Sequence, residues 1–235
     1  MFKYNKIMKE IDDILGKVCD NTVEKIINLN KDINGNIKGK EEEFNHQLSS
    51  EITLHLIDEI EKSLNGKKIN GVKFRVKSYK KREENLTGAD LIGILEINYN
   101  GQKISKAYLA QGKIADIKKR KSNKSQYIYC YNQDILRQTN NMLNITSDSF
   151  FFLYTKKGII VVPSLGVKLS NKNSIKSSDH YYFNFGDFYK NFFKCFIGDH
   201  KIAPFFNKPS ELIEYIEEVG YNKAIYIQAN VSQKD

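Results

Sequence analysis

Three side chains within one short stretch are of the types needed for chemistry on a phosphate. The stretch Thr87 to Lys113, TGADLIGILEINYNGQKISKAYLAQGK, carries Asp90, Gln111 and Lys113. The Asp90 carboxylate is the hard, anionic oxygen that a cation such as Mg²⁺ requires. Gln111 adds a neutral oxygen, and the Lys113 ammonium can stabilise negative charge on a phosphate in its transition state. Asp90 lies well before the other two in sequence, so the chemistry depends on elements that bring them together.

Two extended runs, Asp90 to Tyr99 and Gln102 to Gln111, flank Asn100-Gly101. Asn-Gly is the strongest short hairpin signal, because both central residues of a type I′ turn need positive φ. A two-residue turn pairs Tyr99 with Gln102 and Ile97 with Ile104. Counting outward sets Asp90 opposite Gln111, with Lys113 one diagonal step beyond. Opposite residues share a face with Cβ atoms roughly 5 Å apart, and diagonal neighbours lie roughly 7–8 Å apart. Carboxylate, amide and ammonium therefore converge at the open end of one hairpin. A single bulge would undo the count, since a one-residue slip moves side chains to the opposite face.

Gly88-Ala89-Asp90 followed by Gln111-Gly112-Lys113 resembles the PD-(D/E)xK nuclease superfamily, which includes many restriction endonucleases, in its Gln-x-Lys form. The family motif sets an Asp on one strand and a Glu or Gln two residues before a Lys on the next. The resemblance implies an α/β fold of the restriction-endonuclease-like kind, a mixed central sheet flanked by helices. It implies a Mg²⁺ (or Mn²⁺) ion held by Asp90, Gln111 and the Gly112 carbonyl, with Lys113 assisting the attack of water on the phosphate. It implies a further carboxylate from the helix before the sheet. For that role EEEFNHQLSSEI offers Glu42, Glu43 and Glu51, and the resemblance favours Glu43 without separating it from Glu42. Each of these acids also suits a solvated helix start.

The resemblance continues past the motif. Gln138, in ILRQTNNML, matches a glutamine that Gln-x-Lys relatives carry near the active site, and SFFFLYTKKGIIVVPS looks like the strand pair that follows. The likeness spans residues 40–163. The implied activity is endonucleolytic hydrolysis of phosphodiester bonds, with DNA the expected substrate and RNA an open alternative. The implied setting is bacterial, antiviral defence. Alanine in place of Asp90 or Lys113 is expected to abolish cleavage and leave the fold intact. Two other classes stand beside this one. A non-catalytic nucleic-acid-binding or partner-binding module on the same scaffold is favoured by the neutral Gln111, because a lone carboxylate holds Mg²⁺ poorly. A small regulatory or effector protein would use the aromatic tail as a homodimer surface.

The whole chain agrees with an anionic partner. Lysine and arginine outnumber acids 37 to 28, giving +9, and nucleic acid is the commonest partner for such an excess. The densest basic run, DIKKRKSNK, directly follows the motif and offers Lys118, Lys119, Arg120, Lys121 and Lys124 to backbone phosphates, which supply affinity without sequence readout. A solvated basic loop is the plain alternative. No apolar run is long enough to span a membrane, and no membrane partner is expected. The N-terminus lacks a signal peptide's apolar core. Cys19, Cys130 and Cys195 are few and scattered, which suggests neither a disulfide frame nor a zinc site and fits a reducing cytoplasm. None of the four histidines has ligand or triad spacing, and no HExxH, P-loop or GxSxG motif occurs.

Apolar periodicity supplies the supporting elements. It predicts a helix over 4–29, breaking near Asn21-Thr22, and a second over 41–64 with Phe44, Leu48, Ile52, Leu56 and Ile60 in one stripe. Alternation predicts a strand over 72–79. A helix is expected over 127–145, strands over 150–155 and 158–162, a polar connector over 164–186, an aromatic helix over 187–197, a short helix capped by Ser210 and a strand over 224–229. The expected organisation is an N-terminal helical segment (1–38), a nuclease-like core (39–163) and a C-terminal α/β extension packed on it (164–235).

Overall fold

Two helices open the chain. In the computed structural model, which describes residues 2–30, 40–63, 73–78, 88–99, 102–120, 125–194, 196–200 and 223–231, they are α1 (Phe2–Leu29) and α2 (Glu41–Ser63). Helix α1 runs through Asn21-Thr22 without the expected break. Thr22 falls on the same buried stripe as Leu15, Val18, Cys19 and Ile26, so the apolar face carries the helix across it. Helix α2 begins with three glutamates, whose charge favours that end of a helix, and buries Phe44, Leu48 and Ile52. The helices are tied by Lys25 and Glu51 at 2.7 Å.

Strand β1 (Lys73–Ser78) is followed by β2 (Leu91–Tyr99) and β3 (Gln102–Ile114). The last two are antiparallel in the counted register, with Tyr99 opposite Gln102, Ile97 opposite Ile104 and Leu91 opposite Ala110. The Asn100-Gly101 turn lies outside the described residues. After β3 the chain forms β4 (Asp116–Lys119), β5 (Gln126–Tyr131), α3 (Ile135–Ile145), β6 (Ser149–Thr155) and β7 (Gly158–Pro163). It continues with α4 (Ser164–Ser170), β8 (Ser174–Lys176), β9 (Phe183–Asn184), α5 (Phe185–Phe193) and β10 (Lys223–Val231). The expected helix over 127–145 therefore starts only at Ile135. Tyr127, Tyr129 and Tyr131 alternate with Ile128 and Cys130, a period of two that suits β5. The expected connector over 164–186 holds α4, β8 and β9. The helix expected after Ser210 lies outside the described residues.

A mixed sheet runs β1-β10-β2-β3-β6-β7-β9, and β4-β5-β8 form a second, smaller one. Strand β6 lies parallel to β3, with α3 in the crossover between them. Strand β10 lies parallel to β2 and antiparallel to β1, so the C-terminal segment supplies an interior strand. Side chains leave a strand alternately to its two faces. Phe150, Phe152 and Tyr154 join Leu91, Tyr108 and Ala110 under α1, α2 and α5. Phe151 and Leu153 join Ile92, Ile94 and Leu109 in a second core beside α3, α4 and the small sheet. Phe188, Tyr189, Phe192 and Phe193 of α5 are buried in the first core. They surround Tyr108, with the Phe188 and Phe192 rings edge-on at 4.9 and 5.0 Å. These aromatics are interior, while Tyr181, Tyr182 and Phe196 are exposed.

Candidate functional site

The open end of the β2–β3 hairpin brings Asp90, Gln111 and Gly112 together beneath the first turns of α2. Asp90 ends the loop that enters β2, and its backbone N–H donates to the Ala110 carbonyl at 2.9 Å, the carbonyl of the residue that pairs with Leu91. Its carboxylate oxygen Oδ2 accepts three N–H groups: Gln111 Nε2 at 2.6 Å, Asn45 Nδ2 at 2.8 Å and the Gly112 amide at 3.0 Å. Gln111 and Asn45 are buried, and Asp90 nearly so. Gln111 Nε2 also donates to the Gly112 carbonyl at 3.2 Å, while Gln111 Oε1 is buried with no hydrogen-bond partner among the described residues.

Glycine at 112 is a steric requirement. Asn45 reaches Asp90 from α2 by passing over the β3 backbone, and a Cβ on residue 112 would lie well inside contact distance of the Asn45 amide. The Tyr154 hydroxyl donates to Asn45 Oδ1 and so fixes which way that amide points. Burial holds the Tyr154 phenol well above its ordinary range, with the Asp90 charge adding to the effect. Tyr154 thus remains a donor. Gly88 is also demanded by the geometry, with φ of 71° and the Gln138 backbone where a Cβ would stand. Gln138, buried on α3, therefore abuts the loop that carries Asp90.

Lys113 points its ammonium at α2, where Glu41 Oε2 lies 2.9 Å away, and Glu41 Oε1 accepts the Ile114 amide at 3.3 Å. Lys113 is 3% exposed and Glu41 33%, so this ion pair sits at the rim of the site. The α2 carboxylate that contacts the motif lysine is therefore Glu41. Glu43 is exposed and accepts the Lys40 amide at the helix start, and exposed Glu42 is also in that first turn. Glu51 pairs with Lys25 and with His55. Successive residues turn by about 100° around a helix, so one position decides which glutamate meets the sheet. The spacing held a usable signal: Glu41, Asn45 and Ser49 follow one another at i, i+4 beside the buried stripe of Phe44, Leu48 and Ile52.

Lys118 and Lys119 are exposed on β4, followed by exposed Arg120. Lys121 and Lys124 lie outside the described residues. No three His, Cys, Asp or Glu side chains form a metal-holding group among the described residues. The oxygen donors that could hold a hard cation are thus the Asp90 carboxylate, the Gln111 amide oxygen and the Gly112 carbonyl. Amide nitrogen and oxygen exchange places by rotation about one bond, and their assignment follows the hydrogen-bond network. With the amide turned over, Oε1 would face the Asp90 carboxylate and the Gly112 carbonyl. Three clustered oxygens suit a Mg²⁺-like ion.

Comparison with protein-family models, with curated proteins and with solved structures returned no match for the chain. Among the described residues, no helix is long and apolar enough to cross a membrane.

Proposed function

We propose that this chain is a metal-dependent endonuclease that hydrolyses phosphodiester bonds of DNA, using a PD-(D/E)xK arrangement in its Gln-x-Lys form on a restriction-endonuclease-like sheet. The observation that carries the reading is the contact of Gln111 with Asp90 at 2.6 Å while the Gln111 amide oxygen lies buried without a partner. A buried polar atom left unpaired is costly, and with the amide turned over Oε1 would face the Asp90 carboxylate, where a cation could bind both oxygens. Asp90, Gln111 and the Gly112 carbonyl would hold a Mg²⁺ or Mn²⁺ ion, which when bound supplies an acidified water and charge neutralisation at the phosphate. Asn45, held by Tyr154, keeps the Asp90 carboxylate at one orientation. Lys113, released from Glu41 by an incoming phosphate, stabilises the charge that develops there. Bacterial defence against foreign DNA fits this activity.

A second reading is favoured by a specific observation. Asp90 Oδ2 already accepts three N–H groups and Lys113 already has Glu41 as a counter-ion, which suits a nucleic-acid-binding module without catalysis. Supercoiled plasmid incubated with Mg²⁺, Mn²⁺ or EDTA separates the two. The nuclease reading expects nicking that requires the divalent ion and is lost in Asp90→Asn and Lys113→Ala. Asp90→Asn is preferred over Asp90→Ala because alanine would strand three buried donors, at about 1–3 kcal/mol each. Wild-type-like cleavage by either variant overturns the nuclease reading. Salt-sensitive DNA binding with no metal-dependent nicking selects the module.

A further inference from the structure

The small sheet has two unlike faces. Cys130 and Ile175 are buried in the core beside α3, with Ile128 packed against them. Strand alternation then turns Tyr127, Tyr129 and Tyr131 outward together. The pairing sets Lys118 opposite Tyr127, Asp116 opposite Tyr129, and Lys176 on the other side of Tyr129. Tyr131 is 66% exposed, Tyr127 and Tyr129 are half-buried, and Lys118 is exposed with its ammonium 4.0 Å from the centre of the Tyr129 ring. Three tyrosines at alternate positions stand about 6.6 Å apart along the strand, twice the rise per residue. Lysines lie on both sides of the row, and Asp116 pairs with Tyr129 on the same face.

Tyrosine is enriched on surfaces whose role is contact, and a row of three on one outward face, one exposed and two half-buried, needs a reason. Basic side chains exclude an apolar or cationic partner and select an anionic one. A duplex hides its base faces in the stack and offers only phosphate and groove edges. A single strand offers phosphates together with exposed base faces, which stack on aromatic rings whatever the sequence. The charge and the rings on this one face are therefore used together only by an unpaired strand.

We propose that the outer face of the β4-β5-β8 sheet binds single-stranded nucleic acid, with bases stacked on Tyr127, Tyr129 and Tyr131 and backbone phosphates held by Lys118 and Lys176. The small sheet follows directly on the strand that carries Gln111 and Lys113, with Ala115 alone between β3 and β4. The platform does not depend on cleavage, and its test avoids it. In EDTA, fluorescence anisotropy of the full chain with a fluorescein-labelled single-stranded oligonucleotide is compared with the same sequence as a duplex. The single strand is expected to bind at least roughly tenfold more tightly. Tyr131→Ala and Tyr129→Ala should each weaken it roughly five- to a hundredfold, the range for loss of one stacked base. Tyr131→Phe, which keeps the ring, should bind as the parent does, and Lys118→Ala should lower the salt dependence. The measurement reads binding alone and is made without divalent ion, which keeps a failure of the nuclease reading distinct from a failure of the platform. The proposal is overturned if both alanine variants bind like the parent, or if duplex binds as tightly as single strand. Binding of anionic lipid vesicles or polyglutamate without binding of the oligonucleotide overturns it equally.

Discussion

At the scale of single residues, the candidate site depends on one missing Cβ. Asn45 can donate to Asp90 only because residue 112 has no side chain in its path. Gly112→Ala is therefore expected to push the Asn45 amide off both Asp90 and Tyr154. Overpacking and two broken buried hydrogen bonds together should cost about 2–4 kcal/mol, read as a lower urea midpoint at unchanged slope. Asn45→Ala should cost less, about 1–3 kcal/mol, because it removes the bonds without adding a clash. Under the nuclease reading both lose metal-dependent cleavage. If Gly112→Ala unfolds at the parent's urea midpoint, the packing account of Gly112 fails. The closeness of Asp90 to Gln111 was legible as arithmetic, since a two-residue turn fixes every opposite pair. Glu41 and Asn45 were legible only as residues spaced four apart beside the apolar stripe, because their roles depend on how α2 is rotated against the sheet. That rotation is set by Phe44, Leu48 and Ile52 finding their places among residues far along the chain.

At the scale of elements, β3 serves two ends of the molecule. Its C-terminal half carries Gln111, Gly112 and Lys113, while Lys106 fastens it to the end of α5. The Lys106 ammonium is buried and donates to the carbonyls of Phe192 and, at 2.8 Å, Ile197, with the Phe192 ring centre 4.6 Å away. The last carbonyls of a helix lack partners within it, and a cation there opposes the negative end of the dipole. Lys106→Met keeps most of the volume and removes the donor. It is expected to destabilise the protein by about 2–3 kcal/mol while leaving nucleic-acid affinity within about twofold, since the carbonyls it holds, of Phe192 and Ile197, belong to neither β4 nor β5. An unchanged urea midpoint would show that the α5 terminus is held by packing alone. Element identity was legible wherever the pattern was long and its period unambiguous, as in α1, α2, β2 and β3. It failed for β5, whose six residues run into the apolar positions of α3, and for α4, seven residues held by buried Val167. Short elements take their form from tertiary partners more than from propensity.

At the scale of the whole molecule, the core on the α1, α2 and α5 side stores weak acids. Cys19, Tyr108, Tyr154 and Tyr189 are buried there, and Tyr108 and Tyr189 share a hydrogen bond of 2.7 Å. Cys130 is buried in the second core. Burial is the leading cause that raises all five: it pushes the Cys130 thiol up to about 12 and the other four well above their ordinary values. In the unfolded chain the same groups ionise near 9.0 for cysteine and 10.0 for tyrosine. The folded state therefore binds more protons than the unfolded state above those values, and stability must fall as pH rises. Below pH 9 the contribution is constant. Above it each group lowers stability by about 1.4 kcal/mol per pH unit until its own folded-state value is reached. The two thiols set the onset and the three phenols steepen the loss beyond pH 10. Urea midpoints measured from pH 7.5 to 10.5 should be flat at first and then drop sharply. Cys19→Ala with Cys130→Ala should delay the onset by about one pH unit, from the thiol range to the phenol range. A midpoint that stays level to pH 10.5 would mean that these groups ionise without unfolding the core, and that the sheet is more open to water than its packing implies.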